Sequence, residues 1–367
     1  MNKIEMISFS ILLDEVAEAR QLLENLVSLE KTVNSELSIG VIPFISSLSD
    51  GILNFLPTEV HADFPNIGDQ EFQKIVSSVR VSYKQYTDKK FNKATKLILE
   101  IEKRFYSQIV ENYDLFQKLI SKLFGQCDLG VYYFKGIPYA NTNQYHIYLE
   151  SILSKTNKKE TPYFDKKATD LFSEYSEGLG TLINSVNQKN ISDALIQDIE
   201  TGDFQLRDYC LLDSKRRNFL TGNLPIETQL FLFNILCQNN FVFHIMPSVL
   251  KSKNQFFTRS LFQCYVVSIT ALRLLFNKHS SLFSDSQLEK INDILNRKEK
   301  VFYLGNDFRN NIFHYKISNV PLQIFTSPEQ FFEELIVFHS SKTINENQEL
   351  LLIELSKIND LINSFIN

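Results

Sequence analysis

Apolar residues recur every three and four positions over most of this chain, the period of a helix that buries one stripe. Leu12, Val16, Ala19, Leu22, Leu23, Leu26 and Leu29 predict an amphipathic helix over residues 9–33, with Glu, Arg and Lys between them. Residues 38–66 hold Pro43, Pro57 and Pro65 with two glycines, which predicts irregular chain or short helical pieces. A long helical pattern follows Asp69. Its clearest part runs from Phe91 through Ala94, Ile98, Ile101, Phe105, Ile109, Tyr113, Phe116 and Ile120 to Leu123. A stripe of that length needs a surface to pack on, and packing within the chain is expected ahead of a coiled coil with a partner.

Gly125 ends that pattern. Val131-Tyr132-Tyr133-Phe134, Lys135-Gly136 and Ile137-Pro138-Tyr139 predict a small hairpin or extended loop, with Pro138 on an edge. Its aromatic run is expected to pack as a short insert, ahead of stacking on bases beside Lys135. Helical pattern returns at 145–153 and 168–186, across a polar linker at 155–161. Residues 187–226 are polar and mixed, and a soft domain boundary is expected near residue 205. Beyond it the stripes at 225–243, 254–277, 284–303, 328–339 and 345–366 predict a helical bundle, with Ser284-Asp285 as a cap. The expected fold is all-α. An elongated helical domain over 1–205, of sensor, regulatory or interaction type, precedes a helical domain over 206–367.

Composition adds little to this picture. Gly (11) and Pro (9) are scarce in 367 residues, which suits long helices joined by few tight turns. Cys127, Cys210, Cys237 and Cys264 form no C-x-x-C pair, so reduced thiols are expected in place of a zinc site or a disulfide framework. Asp14 and Glu15 cut short the apolar run from Ile7 to Leu13, unlike a signal peptide. Leu230 to Leu250 is interrupted by Asn234, Gln238, Asn239, Asn240 and His244, unlike a membrane span. A soluble, cytoplasmic protein with no membrane partner is the expectation. The net charge of −5 argues against a generally sticky nucleic-acid binder. From Thr201 to Gln330, however, 15 Lys and Arg face 10 Asp and Glu, a net of +5 that leaves −10 for the rest. That asymmetry is compatible with a localised site for a polyanion.

The common catalytic patterns are missing: no phosphate-cradling Gly-rich loop, no G-x-S-x-G and no H-E-x-x-H. His61, His146, His244, His279 and His339 stand apart without metal-ligand spacing, and neither metal nor cofactor is expected. What remains is Gly305-Asn306-Asp307-Phe308-Arg309-Asn310-Asn311-Ile312-Phe313-His314-Tyr315. Asn306 or Asp307 can cap a helix after Gly305, placing Arg309 in a first turn where free N–H groups and the helix dipole favour phosphate. Arginine offers a permanent charge and a bidentate fork for phosphoryl oxygens. Histidine exchanges protons with a ribose 2′-hydroxyl or a leaving oxygen near neutral pH. These are the groups that metal-free RNA cleavage requires. On one ideal helix Arg309 and His314 lie roughly 140° apart, a separation that a flexible arginine, or better a two-fold pair of such helices, offsets. Arg273 and His279 show similar spacing, but Leu274 follows the arginine and the pair sits at a helix end, where the dipole opposes an anion.

Arg309-Asn310-x-x-x-His314 resembles the R-[N/D/H]-x-x-x-H signature of the HEPN superfamily, small all-α domains that are frequently metal-independent ribonucleases. The resemblance covers the C-terminal part, from about Pro225 onward. It implies an endoribonuclease of toxin or phage-defence type, a homodimer with a composite site, and an antitoxin or defence-system partner. Arg309 and His314 would be catalytic and Asn310 would support them. Asn311, Tyr315, Lys316, Lys215, Arg216 and Arg217 are candidate RNA contacts. One position departs from the family: where nucleotidyltransferase-controlled members carry a tyrosine two residues after the histidine, this chain has Lys316. The alternative is a non-catalytic helical scaffold that binds a partner or a nucleotide.

Overall fold

The computed structural model describes residues 1–84, 91–186, 199–250, 255–301 and 306–367. The chain begins with α1 (Lys3–Ser28), opened by a capping box in which Asn2 Oδ1 accepts from the Glu5 N–H and the Glu5 carboxylate accepts from the Asn2 N–H. It continues into α2 (Lys31–Phe55) with Pro43 inside the helix. The irregular chain expected over residues 38–66 is therefore helical as far as Phe55. Its two glycines explain why: they are contact points. A Cβ on Gly40 would stand 2.2 Å from the Phe241 ring, and one on Gly51 would stand 2.8 Å from the Tyr315 ring. Tertiary packing here outweighs helix propensity.

Next come α3 (Phe72–Lys84), α4 (Phe91–Glu111) and α5 (Leu115–Phe124). The stripe from Phe91 to Leu123 thus belongs to two helices. α4 buries Phe91, Ala94, Ile98 and Ile101, whereas α5 buries nothing.

The expected hairpin forms from β1 (Leu129–Phe134) and β2 (Ile137–Asn141), turning through Lys135 and Gly136 at φ +50° and +80°, the left-handed pair that a two-residue hairpin loop needs. Pro138 lies on an edge strand, because the sheet order is β2-β1-β3. The third strand, β3 (Phe204–Tyr209), pairs antiparallel with β1 from Leu129↔Tyr209 to Phe134↔Phe204. Val131, Tyr133 and Phe134 are buried, so the aromatic run packs. Asn141 then caps α6 (Thr142–Leu153), and α7 (Lys166–Val186) follows.

The boundary expected near residue 205 falls inside β3, whose partner strand lies in the first half. α8 (Ile226–Asn240) packs on β2 and α4. One hydrophobic cluster takes in residues from both halves, among them Leu12, Val76 and Ile147 together with Phe231, Leu261 and Leu355. A π-turn at Phe241–Ile245 leads to α9 (Met246–Val249). The remaining helices are α10 (Gln255–His279), α11 (Asp285–Val301), α12 (Asn306–His314), α13 (Phe331–Ser340) and α14 (Ile344–Ile366). Ser284 accepts from the Gln287 N–H at the head of α11, as the sequence anticipates. The fold is all-α with one small sheet.

Among the described residues two helices are long and apolar enough to cross a membrane by length and composition, Val33–Phe55 and Gln255–Leu282, but 83% and 72% of their apolar windows are buried in protein. The amides that interrupt Leu230–Leu250 are buried and paired. Asn234 Nδ2 donates to Asn143 at 2.9 Å, Asn239 Nδ2 to Asn359 at 2.8 Å, and Asn359 Nδ2 to Asn240 at 3.0 Å.

This polar interior makes stability depend on pH. The buried Glu102 carboxyl accepts from Asn143 Nδ2 at 2.7 Å, its other oxygen has no hydrogen-bond partner, and burial, against the Asn143 bond, raises its pKa from 4.5 to about 8. An acid raised on folding holds its proton in the folded state over that interval. Its stabilising contribution is complete below pH 4.5 and disappears as pH rises through about 8. Glu102→Gln keeps the shape without the proton. Urea unfolding at several pH values between those limits should show a shallower fall in midpoint for Glu102→Gln than for wild type; equal slopes would contradict the assignment.

Candidate functional site

In α12 Phe308, Asn311, Ile312 and Phe313 are buried, while Arg309, Asn310 and His314 are exposed, with Phe313 falling between Arg309 and Asn310 around the helix. Phe308 meets the Phe262 ring of α10 edge-on at 4.9 Å and the His339 ring of α13 at 5.2 Å. Asn311 Nδ2 lies 3.1 Å from His339 Nε2, and Asn311 Oδ1 accepts from the Ser318 N–H at 3.1 Å. Burial holds the His339 pKa below its ordinary value, against the pull of Asp307. The inner face of the helix is thereby fixed by α10 and α13.

The C-terminal end of α12 is held by a side chain from another helix. Arg259 Nη1, from α10, donates to the carbonyls of Asn311 and Ile312 at 2.9 and 2.8 Å. Those are two of the four carbonyls that a helix end leaves without partners, and a cation there also suits the dipole. Arg259 Nε donates to both Glu15 oxygens at 2.7 and 2.8 Å, and Nη2 reaches Glu15 at 2.7 Å. Both side chains are buried, at 2% and 0% exposure. Burial raises the Glu15 carboxyl, and the guanidinium opposes that rise. Burial also works against the Arg259 charge, but Glu15 and Tyr315 outweigh it, so Arg259 stays protonated.

Tyr315, one residue beyond the helix, takes a left-handed backbone at φ +54°, as a residue closing a helix often does. Its ring lies under Arg259, 4.2 Å from the guanidinium carbon, and its hydroxyl hydrogen-bonds Glu15. The Ile317 N–H then donates to Ser8 Oγ of α1 at 3.0 Å. α12 is thus tied to α1, α2, α10 and α13.

Arg309, Asn310 and His314 are therefore all exposed, spread over roughly 140° of the helix. Arg309 is the fourth residue of the helix and His314 the last, so the N-terminal dipole acts on the arginine and not on the histidine. The first turn also carries Asp307, whose carboxylate accepts from Asn319 Nδ2 at 3.0 Å. Gly305 lies outside the described residues. Lys316 is exposed. Two expected RNA contacts do not face solvent: Asn311 (1% exposed) is part of the inner hydrogen-bond network, and Tyr315 (4%) is stacked under Arg259.

The basic triplet lies elsewhere. Arg216 binds Asp213 and the carbonyls of Lys122 and Leu123 at the end of α5, and Arg217 donates to the Leu211 carbonyl, while Lys215 is exposed. Arg216 and Arg217 hold the fold together at that end of α5. The other Arg/His pair is unlike the first, since His279 closes α10 edge-on to Phe91 at 6.3 Å. Among the described residues no three His, Cys, Asp or Glu side chains gather as a metal-ion cluster.

No protein-family model, curated protein or solved structure matches this chain. The likeness to HEPN ribonucleases rests on the motif residues alone.

The buried Glu15–Arg259 pair and His339 are the residues that sequence reasoning missed. A signal for the pair was present. Glu15 falls on the apolar stripe of α1 between Leu12 and Ala19, and Arg259 sits two residues from Phe257 and Leu261 in an apolar helix. Charges on a buried stripe imply each other, because an unpaired one is too costly to bury. Glu15→Ala would leave Arg259 buried without its counter-ion and should cost about 3–5 kcal/mol of unfolding free energy, measured by urea titration. A loss under about 1 kcal/mol, the scale of an exposed pair, would contradict the burial of this pair.

Proposed function

We propose that this chain is a metal-independent endoribonuclease of toxin or phage-defence type that works in the cytoplasm as a two-fold pair of α12 helices. The observation that carries it is the exposure of Arg309, Asn310 and His314 on a helix whose inner side is fixed by buried contacts. A rigid backing of that kind is what positions catalytic groups. In this reading His314 takes the proton from the ribose 2′-hydroxyl. The 2′-oxygen attacks phosphorus as the bond to the 5′-oxygen breaks, the 5′-oxygen takes a proton from water, and the products are a 2′,3′-cyclic phosphate and a 5′-hydroxyl. Arg309 neutralises the charge that builds on the phosphorane oxygens, and Asn310 donates to the phosphate beside it. Exposed Lys316 adds a phosphate contact.

A second copy supplies what one helix lacks. Roughly 140° of rotation separates Arg309 from His314 on α12, so one copy does not converge both groups on one phosphate as readily as two do. The same separation is the feature that favours the second reading, a non-catalytic scaffold that uses this face to hold a partner or a nucleotide. Cleavage of total RNA in EDTA distinguishes the two. Wild type should cleave; His314→Ala should lose roughly 10²–10⁴-fold in rate, and Arg309→Ala a comparable factor. Both substitutions are on exposed positions and should leave the unfolding midpoint nearly unchanged. Equal cleavage by all three proteins would remove the site, and growth arrest by wild type but not His314→Ala would remove the scaffold.

A further inference from the structure

α5 turns its apolar face outward. No residue of the helix is buried, and Leu115, Phe116, Leu119, Ile120, Leu123 and Phe124 are 88, 69, 53, 38, 57 and 73% exposed. At about 100° per residue these six fill one half of the helix, and Gln117, Lys118, Ser121 and Lys122 fill the other. They expose on the order of 600 Å², the upper end of the largest apolar patch on a soluble monomer. The helix is nevertheless built to persist. Asp114 and Gln117 close a capping box at its start, and Arg216 donates to the carbonyls of Lys122 and Leu123 at 2.9 and 2.7 Å near its end.

We propose that α5 docks this protein on an anionic lipid surface, lying in the plane of the headgroups with its leucines and phenylalanines among the acyl chains. From Leu115 to Phe124 the helix carries Lys118 and Lys122 and no acid, and exposed Lys215 stands one residue from the Arg216 that holds its C-terminal end. An apolar arc edged by cations is the pattern that binds anionic headgroups and acyl chains together. A second copy suits the face less well. Antiparallel two-fold pairing sets both lysine edges on the same side, and in parallel pairing too the facing helix has no acid to meet them. A pair of helices only 10 residues long also buries less than the roughly 800 Å² per partner of a standard protein interface. The expectation of no membrane partner considered spanning segments. An in-plane helix needs only a half-apolar arc.

The test is flotation of the full chain with vesicles of phosphatidylcholine alone and of phosphatidylcholine with phosphatidylglycerol. Wild type should float with the anionic vesicles and not with the neutral ones. Phe116→Asp/Leu119→Asp should reduce binding by roughly tenfold or more, and Lys118→Gln/Lys122→Gln by roughly fivefold or more. All four side chains are exposed, so the circular dichroism and unfolding midpoint should match wild type. Failure to bind anionic vesicles, or binding unchanged by Phe116→Asp/Leu119→Asp, would overturn the proposal. A dimer in sedimentation that this double substitution abolishes, without flotation of wild type, would give the face to a second copy.

Discussion

The buried Glu15–Arg259 pair is the constraint on which the placement of the candidate site depends. An arginine enters the interior of an all-α protein only if its charge and donors are met. Here they are met from three directions: Glu15 of α1, the last-turn carbonyls of α12, and the ring of Tyr315. Each partner is also served by the arginine. Glu15 gains its counter-ion, α12 gains an end cap, and Tyr315 is held in a left-handed conformation against Gly51. Helix register, chain reversal and interior charge are settled together. A nine-residue helix is too short to be stable by itself, so its geometry comes from this set of contacts.

The periodicity alone made most of the helices legible. The misreadings have a common origin: residues whose local tendency is overridden by a distant neighbour. Pro43, Gly40 and Gly51 argue for irregular chain until Phe241 and Tyr315 are seen to occupy the space the glycines leave. β3 is a polar segment that becomes a strand because β1 has an unpaired edge. The boundary expected near 205 falls within β3, paired with β1, and neither composition nor charge reports that pairing. Of the site, the sequence singled out Arg309, Asn310 and His314, which are exposed. It could not tell which neighbours face inward, so Asn311 and Tyr315 were read as contacts for RNA when they are contacts for the core.

Two exposed helix faces stand out against this interior, and they differ in chemistry. That of α12 is polar and cationic, on a helix fastened from behind by charge and amides. That of α5 is apolar, on a helix fastened only at its ends. The first suits a phosphate, the second a hydrophobic surface.

Amide hydrogen exchange along α12 tests the central claim most directly, because the clamp acts through the backbone of that helix. With Glu15→Gln, Arg259 loses its counter-ion while the shape of the pair is kept. Protection of Asn306 to Tyr315 should fall well below wild type, by more than any change in α14. Unchanged protection in α12 would contradict the account, since the face bearing Arg309 and His314 would then be held by something other than the buried pair.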